Sequence, residues 1–355
     1  MTANLYVHFP FCRSRCSYCV LHSRAGSDSA GRIRYVQGIA SDVARLEREG
    51  QLVRGAPLST VYFGGGSPAL CDLRPVFSAL EPFVDRAGGT EFTVELHPLD
   101  VTRDALAALR DGGVNRISMG VQSLDDEILA DMRRGCTADD AARAFALVRE
   151  FFDNAGIDLI VGYPSEKGDR SRYESLASWG VAHCSLYSLI LEPESILAKR
   201  IERGKSAAPP DDDRMMDELA RVGRVLESIG LERYEISSYC AHGRECRHNL
   251  ATWRGEDYIG LGEGAYGRVG LKRTYNPPGG KPQEVTELDE AADLKERTFF
   301  RLRTREGIDA SRFPQWLPEL ERCAAEGLLV RIAPSVFRLT ARGCEVCDSI
   351  LESLC

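Results

Sequence analysis

Short runs rich in β-forming residues recur along this chain, each followed by a longer stretch with helical periodicity, and that alternation limits the fold more than any other feature. The runs are Leu5–Phe9, Thr60–Phe63, Glu91–Leu96, Arg116–Met119, Ile157–Val161, Cys184–Leu189 and Arg233–Ser237. Between them lie amphipathic stretches such as Ile33–Glu49, Thr102–Arg110, Ala138–Phe152 and Asp213–Ile229. Strands alternating with helices imply βαβ units and a parallel sheet. Six or seven units point to a partial, TIM-like (β/α) barrel in the α/β class rather than a complete eight-fold one. Two helix starts carry their own signals. Thr102 stands as a cap before its run, and Asp211-Asp212-Asp213 places negative charge where a helix dipole favours it.

The segment Pro277-Pro278-Gly279-Gly280-Lys281-Pro282 breaks the pattern, because proline and glycine at this density continue neither regular element. Beyond it the periodicity predicts helices over Glu287–Arg303 and Phe313–Glu326, a strand pair over Leu329–Ile332 and Val336–Leu339, and a terminal helix. The 355 residues therefore divide into a barrel domain over 1–280 and a small winged-helix-like domain over 281–355. No internal repeat is visible.

Net charge is −8, which argues against a general nucleic-acid or anionic-membrane surface. No apolar stretch approaches the roughly 20 residues of a membrane helix, and Met1–His8 lacks the pattern of a signal peptide. A cytoplasmic protein that is not integral to a membrane is expected. In that reducing setting, twelve cysteines read better as metal ligands and small buried apolar residues than as disulfides.

Three of them stand as Cys12-x3-Cys16-x2-Cys19, directly after the first predicted strand. The spacing suits a loop wrapped around one [4Fe–4S] cubane, with thiolates on three irons and the fourth left open. A closed zinc site needs four ligands, and the next cysteine, Cys71, lies far along the chain.

With the preceding residues, Leu5-Tyr6-Val7-His8-Phe9-Pro10-Phe11-Cys12, this motif resembles the opening of the oxygen-independent coproporphyrinogen oxidase family of radical S-adenosylmethionine (SAM) proteins. The resemblance runs nearly end to end, and its heme-chaperone branch, HemW, is the nearest. It implies a cluster held by Cys12, Cys16 and Cys19, and SAM bound at the open iron and cleaved by an electron from the cluster. Partners implied are heme or another porphyrin, heme-accepting client proteins, and a reductase as electron donor.

The family pattern also marks a SAM-binding set. Phe63-Gly64-Gly65-Gly66-Ser67-Pro68 follows the second predicted strand. A triple glycine alone is a common tight turn, but at a strand's end bare backbone can reach a ligand, and Gly65, Gly66 and Ser67 match the family's positions. Glu95, Gln122 and Asp158 fall at or near later strand ends, the face where barrel sites assemble. Tyr6, Tyr18, Arg134 and Ile190 complete the set. An arginine such as Arg134 can fork onto a carboxylate of SAM or of a porphyrin; alone, Arg134 would read as a solvated helix-end arginine, and Glu95, Gln122 and Asp158 would more often be caps or solvated polar residues.

Cys246-Arg247-His248-Asn249-Leu250-Ala251-Thr252-Trp253 resembles the family's HNxxYW region, with threonine in place of tyrosine, and the chaperone branch makes His248 the heme contact. Imidazole does ligate heme iron; a histidine hydrogen-bonded within a loop is the simpler alternative. Tyr266 stands where histidine is expected. Leu21 occupies the place of a fourth cysteine in the oxidase, and only eleven residues precede Cys12, without the oxidase's N-terminal arm. Both features favour the chaperone over a porphyrin decarboxylase, and the family also contains methyltransferases. Cys344, Cys347 and Cys355 invite a second metal site, but Cys344, Cys347, Leu351 and Leu354 share a helical face and read as core.

Overall fold

A computed structural model describes residues 4–26, 28–164 and 171–354. Seven parallel strands form the centre: β1 (Asn4–Phe9), β2 (Thr60–Gly65), β3 (Glu91–Leu96), β4 (Arg116–Gln122), β5 (Ala155–Val161), β6 (His183–Ser188) and β7 (Tyr258–Leu261). Their order is β7-β1-β2-β3-β4-β5-β6. Six of them coincide with sequence expectations. The seventh, β7, is a four-residue strand between Asp257 and Gly262, too short for a clear periodic signal.

The expected strand Arg233–Ser237 is instead a hairpin, Glu232–Glu235 with Ser238–Cys240, antiparallel on the β6 edge. Its two-residue connection is far too short for a parallel crossover. At the other edge, Tyr266–Val269, Lys272–Tyr275 and Glu284–Glu287 extend the sheet beyond β7 in antiparallel fashion, making twelve strands in all. Both ends of the sheet stay open, so the barrel is partial.

Residue parity along the strands explains how the sheet supports a site. Leu5, Val7, Phe9, Val61, Phe63, Phe92, Val94, Ile117, Met119, Ile157 and Leu159 are fully buried and belong to the main hydrophobic core. They face the surrounding helices. Val36, Ile39, Val43 and Leu46 on helix Ser29–Arg48 are among their partners. The alternate residues are polar or aromatic: Asn4, Tyr6 and His8; Thr60 and Tyr62; Glu91, Thr93 and Glu95; Arg116 and Ser118; Asp158; His183, Ser185 and Tyr187. They fill the barrel interior. A sheet covered on both faces usually reads as continuous apolar runs; here one face is reserved for chemistry.

The helix caps stand where the sequence places them. Thr102 Oγ1 accepts from the Ala105 amide, and Asp211 accepts from that of Arg214 ahead of helix Asp212–Ser228. Thr137 and Asp140 add a full capping box to helix Ala138–Arg149.

A second core gathers Leu302, Ile308, Trp316, Leu320, Phe337, Cys347 and Ile350. It lies between helices Glu290–Leu302, Leu317–Ala325 and Cys347–Ser353 and a three-stranded antiparallel sheet, Ile308–Asp309, Val336–Leu339 and Leu329–Ala333. The proline–glycine break is loop, yet strand Glu284–Glu287 after it still pairs with the main sheet. The first fully buried residue of the second core after that strand is Leu302. Cys347 and Leu354 are buried there and Leu351 packs against them, while Cys344 is half-buried and Cys355 lies outside the described residues.

Candidate functional site

The C-terminal ends of β2 to β6 and the loop after β1 surround a pocket of about 300 Å³. Cys12, Cys16, Cys19, Tyr18, Gly65, Gly66, Ser67, Glu95, Gln122, Arg134 and Asp158 all line it. Residues scattered over about 150 positions of sequence are thus brought to one cavity, on the face where parallel barrels carry their sites.

The cysteine loop is tied down from several sides. Gly66 N donates to Phe9 O at 2.8 Å and Ser67 N to Phe11 O at 2.7 Å, joining the glycine turn to the strand end before Cys12. In mid-loop, Ser17 is fully buried. Its amide donates to Met132 O at 3.0 Å, its hydroxyl bonds Asp131 O and Tyr163 Oη, each at 3.0 Å, and its carbonyl accepts from Leu197 N at 2.7 Å. Ser17 escapes motif reading because its role lies in long-range bonds to the backbone.

All three cysteines are free and half-buried. Burial and the neighbouring thiols raise the Cys12 thiol to about 11, and burial likewise pushes Cys19 up. Among the described residues no three histidine, cysteine or acidic side chains converge as the ligands of one ion do. A cubane instead offers a separate iron to each thiolate. Arg134 is buried beside the loop, with Nη1 3.5 Å from Cys16 Sγ and Nη2 donating to Gly120 O. The positive φ of Arg133, 62°, turns the chain so that its neighbour points inward. Gln122, at φ 71°, follows a bulge in β4. Left-handed backbone at a non-glycine residue is strained and concentrates at functional positions. Ser67 Oγ and Arg134 Nε are buried without a partner, polar atoms waiting on the lining of the pocket.

Glu95 lies at the floor. Tyr62 Oη donates to Oε1 at 2.8 Å and Gly65 N to Oε2 at 3.1 Å. Burial, then the Asp158 carboxyl, raises Glu95 to about 7 against the pull of those two donors. Asp158, bonded to Ser118 Oγ at 3.1 Å, is also raised by burial. Between about pH 4.5 and 7 the folded chain keeps a proton on Glu95 that the unfolded chain has released, so stability falls as pH rises through that window. Glu95→Gln should flatten this slope, gaining on the order of 2 kcal/mol relative to wild type at pH 8 but not at pH 4. Denaturant unfolding of both proteins at the two pH values checks it; equal differences at both would remove the assignment.

Two expected SAM contacts stand elsewhere. Tyr6 is one layer below, stacked on Tyr62 at 6.0 Å, with its hydroxyl 3.1 Å from His8 Nδ1. Ile190 is 71% exposed and does not line the cavity. Tyr62, His97 and Tyr187 line it without belonging to any motif in the sequence. The inward parity of Tyr62 with Tyr6, and of Tyr187 with Asp158, was the available signal.

His248 is placed at the opposite end of the barrel. Its Nδ1 is 2.7 Å from Thr60 Oγ1, whose own proton goes to Asn4 Oδ1 at 2.9 Å, at the first residues of β2 and β1. Its amide donates to Glu91 Oε1 at 3.0 Å, and its ring lies 5.0 Å from Tyr62 and 6.3 Å from Tyr6. Burial, then Arg116, lowers it to about 3, which keeps it neutral. A ring enclosed in this way presents no face to a heme in this structure, and the geometry speaks for the simpler reading, a histidine hydrogen-bonded within the fold.

A profile of the radical SAM superfamily matches residues 6–172. The heme chaperone HemW of Mycobacterium tuberculosis (strain ATCC 25618 / H37Rv) is 31% identical over 99% of this chain and 94% of its own length. That of Escherichia coli (strain K12) is 30% identical over 98% and 97%. The solved coproporphyrinogen III oxidase HemN of Escherichia coli superposes with a TM-score of 0.82 at 20% identity, covering 99% of this chain and 90% of that one, a likeness of fold. A cluster motif at the mouth of a parallel partial barrel, a full-length match at this identity and a shared fold lead to one assignment: the chain belongs to the radical SAM superfamily, in the family of the heme chaperone HemW.

Proposed function

We propose that this protein binds heme and supports its transfer to client proteins, with a SAM-loaded [4Fe–4S] cluster as its resident cofactor pair. The observation that carries the reading is the full-length similarity to HemW chaperones joined to a pocket where all three motif cysteines meet the glycine turn. The family's cofactors supply one-electron cleavage of SAM when bound. Cys12, Cys16 and Cys19 hold the cluster. Gly65, Gly66 and Ser67 offer backbone and an unpartnered hydroxyl to SAM, while Glu95, Gln122, Arg134 and Asp158 provide the polar floor and wall. Tyr18 lies between two cluster ligands, and Tyr6 acts from behind by seating Tyr62, the donor to Glu95. Leu21 lines the pocket where the oxidase carries a cysteine. An apolar side chain there supports a carrier over a decarboxylase.

Among the described residues, no helix is long and apolar enough to cross a membrane. A reducing cytoplasm, with a reductase to supply the electron, suits the free thiols.

The test is anaerobic reconstitution followed by two assays. Heme should bind stoichiometrically, and coproporphyrinogen III with SAM and reductant should yield no decarboxylated product. Appearance of that product sinks the carrier reading. For His248→Ala the structure predicts a fall in stability of about 2–4 kcal/mol, from a cavity and a lost hydrogen bond. Heme affinity of the variant's folded fraction should equal wild type. Loss of heme binding at unchanged stability would restore His248 as a ligand.

A further inference from the structure

The large apolar side chains that reach solvent are not evenly spread. Val20 and Leu21 are 38% and 54% exposed on the loop just after Cys19, and Tyr187, Ile190 and Leu191 are 42%, 71% and 37% exposed where β6 ends. Leu21 and Tyr187 both line the cofactor pocket, so the two segments meet around one mouth. An apolar cluster rimming a polar cavity marks a place where something apolar docks. Charge sits beside it. Arg15 and Arg133 are exposed on adjoining segments at the cysteine loop, where Ser14 Oγ donates to Arg133 O at 3.3 Å. Arg15 Nε is engaged by Cys19 O at 3.2 Å, but among the described residues neither guanidinium meets a carboxylate. Nearby cations of the same face are already spent: Arg13 is paired with Asp100 and Arg200 with Asp131.

We propose that this rim is the seat of heme, its macrocycle lying on Leu21, Tyr187, Ile190 and Leu191 with its propionates toward Arg15 and Arg133. The inference rests on the heme-binding reading above and adds a location to it. The chemistry of the occupant follows from the surface: a flat apolar body asks for apolar side chains, and two carboxylates ask for guanidinium partners. The seat lies across the mouth of the SAM cavity, sharing Leu21 and Tyr187 with its lining, and it explains how Ile190 stands beside the site without lining it. It also needs no part of His248.

Anaerobically reconstituted full-length protein is titrated with hemin, and with hemin dimethyl ester, following the Soret band. Ile190→Glu and Leu21→Glu should each weaken hemin binding by about tenfold or more, because a charge would face the macrocycle. The double variant Arg15→Gln, Arg133→Gln should weaken hemin but leave the ester, which lacks the carboxylates, as in wild type. Iron and sulfide content is measured in parallel, and for Ile190→Glu it should be unchanged. If wild type binds hemin and all these variants match it, the seat is elsewhere and this inference is overturned while the heme-binding reading stands. If wild type binds no hemin, both fall.

Discussion

Cys16→Ala, purified and reconstituted without oxygen, retains at most about a tenth of the wild-type cluster, and Cys12→Ala and Cys19→Ala behave alike. The reason lies in how the three thiols are placed. They share one pocket mouth, and a cubane must draw a ligand from each because the pocket's other candidate donors are already engaged: Glu95 by Tyr62 and Gly65, Asp158 by Ser118, Asp100 by Arg13, and His97 by the Leu99 amide. In the unloaded pocket burial holds the Cys12 and Cys19 thiols in their protonated forms, so loading releases protons and becomes easier as pH rises. Losing one ligand removes an iron–sulfur bond that no other group replaces. The fold should survive. Ser17 anchors the loop through its own backbone and hydroxyl, and the Cys16 side chain is only half-buried. Circular dichroism beside iron and sulfide counts separates the two effects. Cys71→Ala, a cysteine outside the pocket lining, is the control and should load fully. Wild-type iron and sulfide in Cys16→Ala would refute the cluster assignment.

Sequence alone carried the strands that hold the site, because β1 to β6 each combine β-branched or aromatic residues with a following helix. It also carried most of the pocket, since motif residues sit at strand ends that a parallel barrel gathers on one face. What escaped it shares a physical cause: contacts between residues distant in sequence. Ser17 looks like an ordinary loop serine until Met132, Asp131 and Leu197 arrive from elsewhere. Tyr62 looks like a core aromatic until parity turns it inward onto Glu95. His248 reads as a ligand by motif, yet Thr60 and Glu91, far upstream, enclose it. The edge hairpin at Glu232–Cys240 reads in sequence as one strand because its composition matches a strand and only its two-residue turn reveals direction.

Gly66→Ala tests the other half of the pocket, and its effect should exceed that of Gly64→Ala. A Cβ on Gly66 would stand 2.3 Å from Phe11 O and 2.9 Å from Cys12 Sγ. The first neighbour is backbone and is held fast: Phe11 is buried, its ring packs edge-on against Tyr35 at 5.2 Å, and its carbonyl already accepts from Ser67 N at 2.7 Å. Relief must come from the glycine turn moving off or from Cys12 being displaced, and either separates the turn from the cysteine loop. Overpacking of this kind costs about 1–3 kcal/mol, which here falls on the pocket. SAM affinity, read by anaerobic titration of the loaded protein, should fall by about tenfold or more, with cluster content reduced. On Gly64 the added atom would meet the rings of Tyr6 and Tyr62 at 3.1 Å and the Glu95 carboxyl at 3.2 Å, side chains that can shift by the few tenths of an ångström required. That variant should keep its cluster and lose only a few-fold in SAM affinity. Equal behaviour of the two variants would mean that the turn does not brace Cys12, and that its glycines serve the local bend alone.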